Sequence, residues 1–217
     1  MIRLGLLGGT FNPVHNGHLL MAHTAAAAFG LERVLLVPSS LPPHKELAGG
    51  VSAEHRLAML RLAGAGDPLV AVDTVEIDRG GVSYAIDTVR HLADRDPGYE
   101  LFFIIGLDSL LELHRWKDVA AFLKLCRVVT VNRPGILGRP LQEKDLKLRE
   151  SLAQRLLADV VTGTMSDASS SEIRERIAKR LTISYLVPQS VEQYIREHGL
   201  YGSSNQEADY QSTRDCI

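Results

Sequence analysis

The stretch that most constrains this chain is its opening, Ile2 to His18. An apolar run, Ile2 to Leu7, reads as a buried strand. It leads directly into Gly8-Gly9-Thr10, then a turn containing Pro13, then His15-Asn16-Gly17-His18, after which Leu19 to Phe29 reads as a helix. A strand, a glycine-rich turn and a helix start, in that order, make a phosphate site. The first N–H groups of a helix lack intrahelical partners, and the helix dipole favours negative charge there. The paired histidines indicate that something is done to that phosphate.

Strand and helix signals alternate through the rest of the chain. Arg33–Val37 is a β-rich run ended by Pro38 and by Pro42-Pro43. Ser52 caps a helix to about Leu62, stopped by Gly64, Gly66 and Pro68. Leu69–Ile77 alternates apolar and polar residues, the period of a strand. Ser83 caps a helix to about Ala93. Leu101–Ile105 is a continuous apolar run, as in a central parallel strand buried on both faces. Helices are expected over Asp108–Leu113 and Val119–Leu125, a strand over Arg127–Val131, a helix running through Ala158 and a short strand near Val160–Thr164. Ser169-Ser170-Ser171-Glu172 has the Ser-x-x-Glu spacing of a capping box and opens a helix to about Lys179. Pro188 suits the first position of a last helix, with Gly199 just past its end.

This alternation specifies an α/β fold: a Rossmann-like, doubly wound parallel sheet with helices on both faces, in a single domain over residues 1–202. Residues 203–217 form a polar, frayed tail. Ligands of such sheets sit at the carboxyl ends of the strands. The distinctive stretches Gly8–His18, Ser39–Lys45 and Gly106–Ser109 each follow a strand.

Composition then excludes several function classes. At 217 residues, 45% hydrophobic and 23% charged, the chain can bury one sizeable core. A formal net charge of −2 carries no electrostatic footprint for nucleic acid. No apolar stretch approaches the ~18 residues needed to span a membrane. Asn12, Pro13 and the histidines arrive where a secretory leader needs an apolar core. The two cysteines, Cys126 and Cys216, lie far apart and in no metal spacing, which suits a reducing cytoplasm. A cytoplasmic location is therefore expected.

His15 and His18 admit three readings. They can be loop and helix-cap residues. They can share a metal, but zinc wants a third ligand and none appears with motif spacing, so no metal ligand is assigned. They can also face phosphate, donating charge-assisted hydrogen bonds near neutral pH, with Gly17 allowing close backbone approach. After Gly8-Gly9-Thr10 the phosphate reading dominates. The P-loop spacing Gly-x4-Gly-Lys-Ser/Thr and the dinucleotide spacing Gly-x-Gly-x-x-Gly are both missing, which disfavours a P-loop kinase or an ordinary NAD-dependent dehydrogenase.

The segment Gly8–His18 resembles the signature of the nucleotidyltransferase superfamily marked by His-x-Gly-His. Ser169-Ser170-Ser171-Glu172-Ile173-Arg174 resembles its second mark, Ser-Ser-Ser/Thr-x-Ile-Arg. Pro42-Pro43-His44-Lys45, Asp78–Thr88, Phe103–Ser109, Trp116 and Tyr194–Tyr201 are similar to the bacterial nicotinate-nucleotide adenylyltransferase family, a likeness covering roughly residues 2–201. Two departures stand out: Ser39-Ser40 where that family often has an asparagine, and Ser171 in place of the commoner threonine.

The resemblance implies adenylyl transfer from ATP to nicotinate mononucleotide, with Mg²⁺ accompanying ATP. It implies no nucleic-acid or membrane partner and leaves a homo-oligomer open. His15 and His18 are implied on the ATP phosphates, His18 at the α-phosphate. Gly8 and Gly9, with the Thr10 and Phe11 backbone, would hold phosphate or ribose, and Arg174 with Ser170 and Ser171 would clamp the β- and γ-phosphates. Gly106, Asp108 and Ser109 are implied at the ribose, and Arg133 at the adenine. On the acceptor side, His44 and Lys45 would reach phosphate, Trp116 would stack on the nicotinate ring, and the backbone at Ser83, Tyr84 and Ala85 would receive its carboxylate. The residues themselves also fit nicotinamide mononucleotide or another phosphate acceptor, or a catalytically silent nucleotide-binding module.

Overall fold

A computed structural model describes residues 1–41, 50–132, 139–163 and 168–202. Its centre is a six-stranded sheet of β1 (Ile2–Gly9), β2 (Arg33–Pro38), β3 (Val70–Val72), β4 (Tyr99–Gly106), β5 (Arg127–Asn132) and β6 (Val160–Thr162). All neighbouring strands pair in parallel, in the order β3-β2-β1-β4-β5-β6. The chain therefore starts in the middle and winds outward twice, and the direction of winding reverses between β1 and β4. In sheets of this kind ligands bind at the carboxyl ends of the strands where the winding reverses, here β1 and β4. Gly8-Gly9 ends β1 and Gly106 ends β4.

Apolar residues run through the central strands, and the two-residue period sorts them onto opposite faces. Leu7, Leu36, Phe102, Ile104 and Val129 enter one core with α1 (Asn16–Phe29), α2 (Ala53–Gly64), α8 (Ser170–Ala178) and α9 (Gln189–Glu197). Leu6, Leu35, Leu101, Phe103 and Ile105 enter the other with α4 (Ala85–Arg95), α5 (Leu107–Leu111), α6 (Val119–Leu125) and α7 (Glu150–Ala158). Each fully buried side chain of this kind contributes about 1.5–3 kcal/mol. A typical hydrogen bond contributes about 0.5–1.5 kcal/mol net. Two-sided apolar burial, rather than any polar contact, thus decides which strands are central. Among the described residues no helix is long and apolar enough to cross a membrane.

Several boundaries differ from the sequence reading. The expected strand Leu69–Ile77 stops at Val72, and a short helix, α3 (Val75–Arg79), follows. The cause is local: Asp73 Oδ1 accepts from the Val75 N–H at 3.0 Å, and Thr74 Oγ1 donates to Asp78 Oδ2 at 2.6 Å. Short polar side chains here give the backbone an alternative to the ladder. Ser83 does not cap α4. Tyr84 precedes its first turn, and the Ser83 hydroxyl instead accepts from the Ser40 N–H at 2.9 Å. Helix α1 begins at Asn16, three residues earlier than its apolar pattern, so His18 lies inside it. Helix α5 starts at Leu107, with a 3-10 turn over Leu113–Arg115 behind it. Pro188 sits one residue ahead of α9. Ser169 does cap α8, its hydroxyl accepting from the Glu172 N–H at 3.1 Å. The tail 203–217, and His44, Lys45 and Arg133, lie outside the described residues.

Candidate active site

The loop after β1 is held from several sides. Arg56, on α2, donates from Nη1 to the Thr10 carbonyl at 2.8 Å. Arg174, on α8, donates from Nη1 to the Asn12 carbonyl at 2.7 Å and from Nη2 to Ser171 Oγ at 3.2 Å. The Ser170 hydroxyl donates to the Pro13 carbonyl at 2.9 Å, and the Tyr201 hydroxyl to Asn12 Oδ1 at 2.7 Å. Phe11, in the left-handed region at φ 47°, turns the chain here with its ring buried. A non-glycine residue keeps such a conformation where its surroundings over-determine it. The Phe11 ring packs 4.8 Å from that of His18.

His15 is the N-cap residue of α1 and His18 lies one turn in, their rings 3.7 Å apart. The His15 N–H donates to His18 Nδ1 at 3.2 Å. An accepting Nδ1 carries no proton, so the bond assigns the His18 hydrogen to Nε2. His18 thereby presents a donor on the side of the ring away from its own backbone. Gly17 has a specific reason to be glycine: a Cβ there would lie 2.9 Å from His15 Nδ1 and 3.0 Å from its Cε1. The small residue makes room for the His15 ring. Gly17→Ala is expected to displace that ring and lower turnover by about ten- to a hundredfold. Alanine is intrinsically the better helix residue by about 1 kcal/mol, so a circular-dichroism melt should show a folded helix alongside the lost activity. Unchanged turnover would show that the ring yields at no cost.

The second half of the site surrounds the ends of β2 and β4. Gly106 leads into α5, where the Asp108 side chain is exposed and Ser109 is half-buried. Trp116 is half-buried, edge-on to Phe103 at 5.8 Å and 5.5 Å from Phe122. Next to it, Lys117 Nζ lies 4.3 Å over the Tyr84 ring and 3.1 Å from Asp87 Oδ2, fastening the Trp116 turn to the first turn of α4. Ala85 opens that helix, where the earliest N–H groups have no helical acceptor. Gly81, Ser83, Ser40 and Leu41 are stitched together: the Leu41 N–H bonds the Gly81 carbonyl at 3.2 Å, and the Ser83 N–H bonds the Leu41 carbonyl at 2.9 Å.

The fold thus brings Gly8, Gly9, Thr10, Phe11, His15, His18, Ser170, Ser171 and Arg174 into one connected set. Gly106, Asp108 and Ser109 stand at the same end of the sheet, and Ser83, Tyr84, Ala85 and Trp116 form a second group beside them. The sequence reading assigns no site role to Asn12, Arg56 or Tyr201, yet they anchor the loop. A signal for Arg56 exists: it shares the buried face of α2 with Met59 and Leu60, three and four residues on. Burial draws the Arg56 pKa below the usual arginine range and pushes the Tyr201 phenol up, with Arg174 and Arg56 opposing the latter. The phenol therefore remains a hydrogen-bond donor at neutral pH. A cleft of about 550 Å³, lined by His55, Arg174, Leu200 and Tyr201 among others, adjoins this anchor.

The chain is similar to known proteins along most of its length. The family model described as cytidylyltransferase-like matches residues 6–176. The probable nicotinate-nucleotide adenylyltransferase of Geotalea daltonii is 43% identical over 215 residues, covering 92% of this chain and 98% of the relative. That of Moorella thermoacetica is 40% identical over 200 residues, covering 92% and 91%. The solved nicotinic acid mononucleotide adenylyltransferase of Plasmodium falciparum, complexed with NaAD, aligns with a TM-score of 0.72 at 16% identity, over 94% of this chain and 99% of that one, which shows a common fold. The chain belongs to the cytidylyltransferase-like family and, within it, to the nicotinate-nucleotide adenylyltransferases.

Proposed function

We propose that the protein transfers the adenylyl group of ATP to nicotinate mononucleotide, giving nicotinate adenine dinucleotide and pyrophosphate, a step of NAD biosynthesis. The observation that carries this reading is the bond from Arg174 to the Asn12 carbonyl, which joins two motifs 162 residues apart into one phosphate site. An oxygen of the mononucleotide phosphate attacks the α-phosphorus of ATP, and the bond from that phosphorus to the bridging oxygen of pyrophosphate breaks. The attacking phosphate is already ionised at neutral pH, so no general base is required. Catalysis then reduces to placing the two reactants and stabilising charge on the phosphates.

In this assignment His15 and His18 face the ATP phosphates, with the His18 Nε2–H at the α-phosphate. The backbone from Gly8 to Phe11 cradles phosphate or ribose. Arg174 has five N–H donors; two hold Asn12 and Ser171, and others are directed to the β- and γ-phosphates beside Ser170. Gly106 permits close approach of the ribose, whose hydroxyls Asp108 and Ser109 accept from or donate to. Arg133 borders the adenine. Mg²⁺ accompanying ATP would be held by phosphate oxygens and water, the usual coordination for this hard cation, and would supply charge neutralisation on the phosphates. No protein ligand is assigned to it.

On the acceptor side, Trp116 stacks on the nicotinate ring, and the N–H groups near Tyr84 and Ala85, after Ser83, receive its carboxylate. Two donors select an acid over an amide, because the amide NH2 would face another donor. His44 and Lys45 are assigned to the acceptor phosphate. Chromatography of a reaction containing ATP, Mg²⁺ and nicotinate mononucleotide tests the whole reading. One dinucleotide should form per pyrophosphate; ATP breakdown without dinucleotide would overturn it. Stacking of a base on an aromatic ring is worth about 1–3 kcal/mol, so Trp116→Ala is expected to raise KM for the mononucleotide by roughly ten- to a hundredfold while KM for ATP stays within about threefold. An equal rise in both would remove Trp116 from the acceptor site.

A further inference from the structure

Arg56 is fully buried, 0% exposed, on the apolar face of α2 beside Met59 and Leu60. Burying a guanidinium is costly, and an apolar side chain of similar volume would often serve stability better. Its hydrogen bonds show what it does instead. Nη1 donates to the Thr10 carbonyl at 2.8 Å, and Nη2 reaches the Ser40 carbonyl at 3.5 Å. Thr10 begins the loop that ends at His15, the N-cap of the helix that carries His18. Ser40 lies in the loop after β2, and its N–H is held by the Ser83 hydroxyl at 2.9 Å, immediately before Tyr84 and Ala85. The two loops are also joined by the Ser39 N–H on the Gly9 carbonyl at 2.9 Å. The Arg56 fork therefore spans from the phosphate loop to the loop after β2, which the Ser83 hydroxyl in turn ties to the segment leading into α4.

Resting on the function proposed above, we infer that Arg56 is a positioning residue that sets the separation between the ATP half-site and the acceptor half-site. It touches neither substrate. Each half-site has its own walls, so each substrate still binds when the fork is lost; what is lost is the in-line placement of the acceptor oxygen against the α-phosphorus. Such a residue acts on kcat more than on affinity. Lysine keeps the charge but presents a point donor that cannot hold two carbonyls in a fixed plane.

Arg56→Lys and Arg56→Met, with the wild type alongside, test this. Measured are melting temperature, binding of a non-hydrolysable ATP analogue and of nicotinate mononucleotide separately, and kcat. Expected in a folded Arg56→Lys protein is binding of each ligand within about threefold of wild type and a kcat roughly ten- to a hundredfold lower. In Arg56→Met the same split is expected. A normal kcat in Arg56→Lys with weak ATP binding in Arg56→Met would mean that charge alone matters and overturns the inference. So does a kcat loss that disappears when the assay is run well below each variant's melting temperature, since that is the mark of a purely structural residue. Ser83→Ala adds an independent check. Links in series are non-additive, so Ser83→Ala should cost less in the Arg56→Lys background than in wild type; fully multiplicative losses would overturn the linkage. A wild type that makes no dinucleotide defeats the functional reading and this inference together, whereas an active wild type matched by Arg56→Lys defeats this inference alone.

Discussion

Replacing His18 with alanine is expected to cut turnover by roughly two to three orders of magnitude, the scale for losing one pre-organised donor to a transition state. The geometry explains why this side chain should matter so much. Its Nδ1 accepts the His15 N–H at 3.2 Å, which leaves the proton on Nε2 and fixes the ring's orientation, and Phe11 packs against it. A donor fixed in advance costs no reorganisation as charge develops on the transferring phosphate. The fold should lose little. The bond removed is neutral and worth about 0.5–1.5 kcal/mol, against about 2.7–4 kcal/mol expected on the barrier. His18→Gln, whose amide nitrogen reaches about as far as Nε2, should recover part of the activity. A His18→Ala protein that fails to fold, or that keeps a third of wild-type kcat, would show the histidine to be structural.

The second large effect is expected at Arg174. It joins α8 to the opening loop through the Asn12 carbonyl and is directed, in the proposed function, to the leaving phosphates. Arg174→Ala should lower kcat/KM for ATP by about two to three orders of magnitude and leave KM for the mononucleotide within about threefold. Arg174→Lys should restore much of the ATP affinity but little of kcat, because one ammonium cannot serve Asn12, Ser171 and phosphate together. Steady-state kinetics with each substrate varied in turn separates these effects. Equal losses for both substrates, or a fully active lysine variant, would remove Arg174 from the leaving-group site.

Much of the architecture was legible in the residues because burial on two faces writes itself as apolar runs. Leu101–Ile105 and Arg127–Val131 were placed within two residues of the observed strand ends, and Val119–Leu125 matches α6. The failure at Leu69–Ile77 has a physical cause. Val70 and Val72, then Val75 and Ile77, each keep the two-residue spacing, but the step between the pairs is three, and two side-chain bonds at Asp73 and Thr74 end the strand there. Ser83 was misassigned for a similar reason: a hydroxyl before a helix can serve a cap or a neighbouring loop, and only the tertiary pairing with Ser40 decides.

The stretches that the fold gathers around the opening loop are marked in the sequence by their motifs, but the packing at Gly17 is not. Close approach of backbone to ligand was the expectation; the structure places the His15 ring in the space a Cβ would fill. Arg56 escaped notice because a lone arginine is ordinarily a surface residue, and only its phase relative to Met59 and Leu60 betrays burial. The group proposed for the acceptor was the least legible. Nothing in the spacing of Tyr84, Ala85 and Trp116 announces a nicotinate pocket; the tie between them, Lys117 over Tyr84, appears only in three dimensions.

Pyrophosphate release from ATP, measured side by side with nicotinate mononucleotide and nicotinamide mononucleotide as acceptors, tests the assignment most directly. The acid is expected to be used with a kcat/KM at least about a hundredfold above that of the amide, because the amide NH2 would meet backbone donors at the start of α4. Equal or faster reaction with the amide would contradict it.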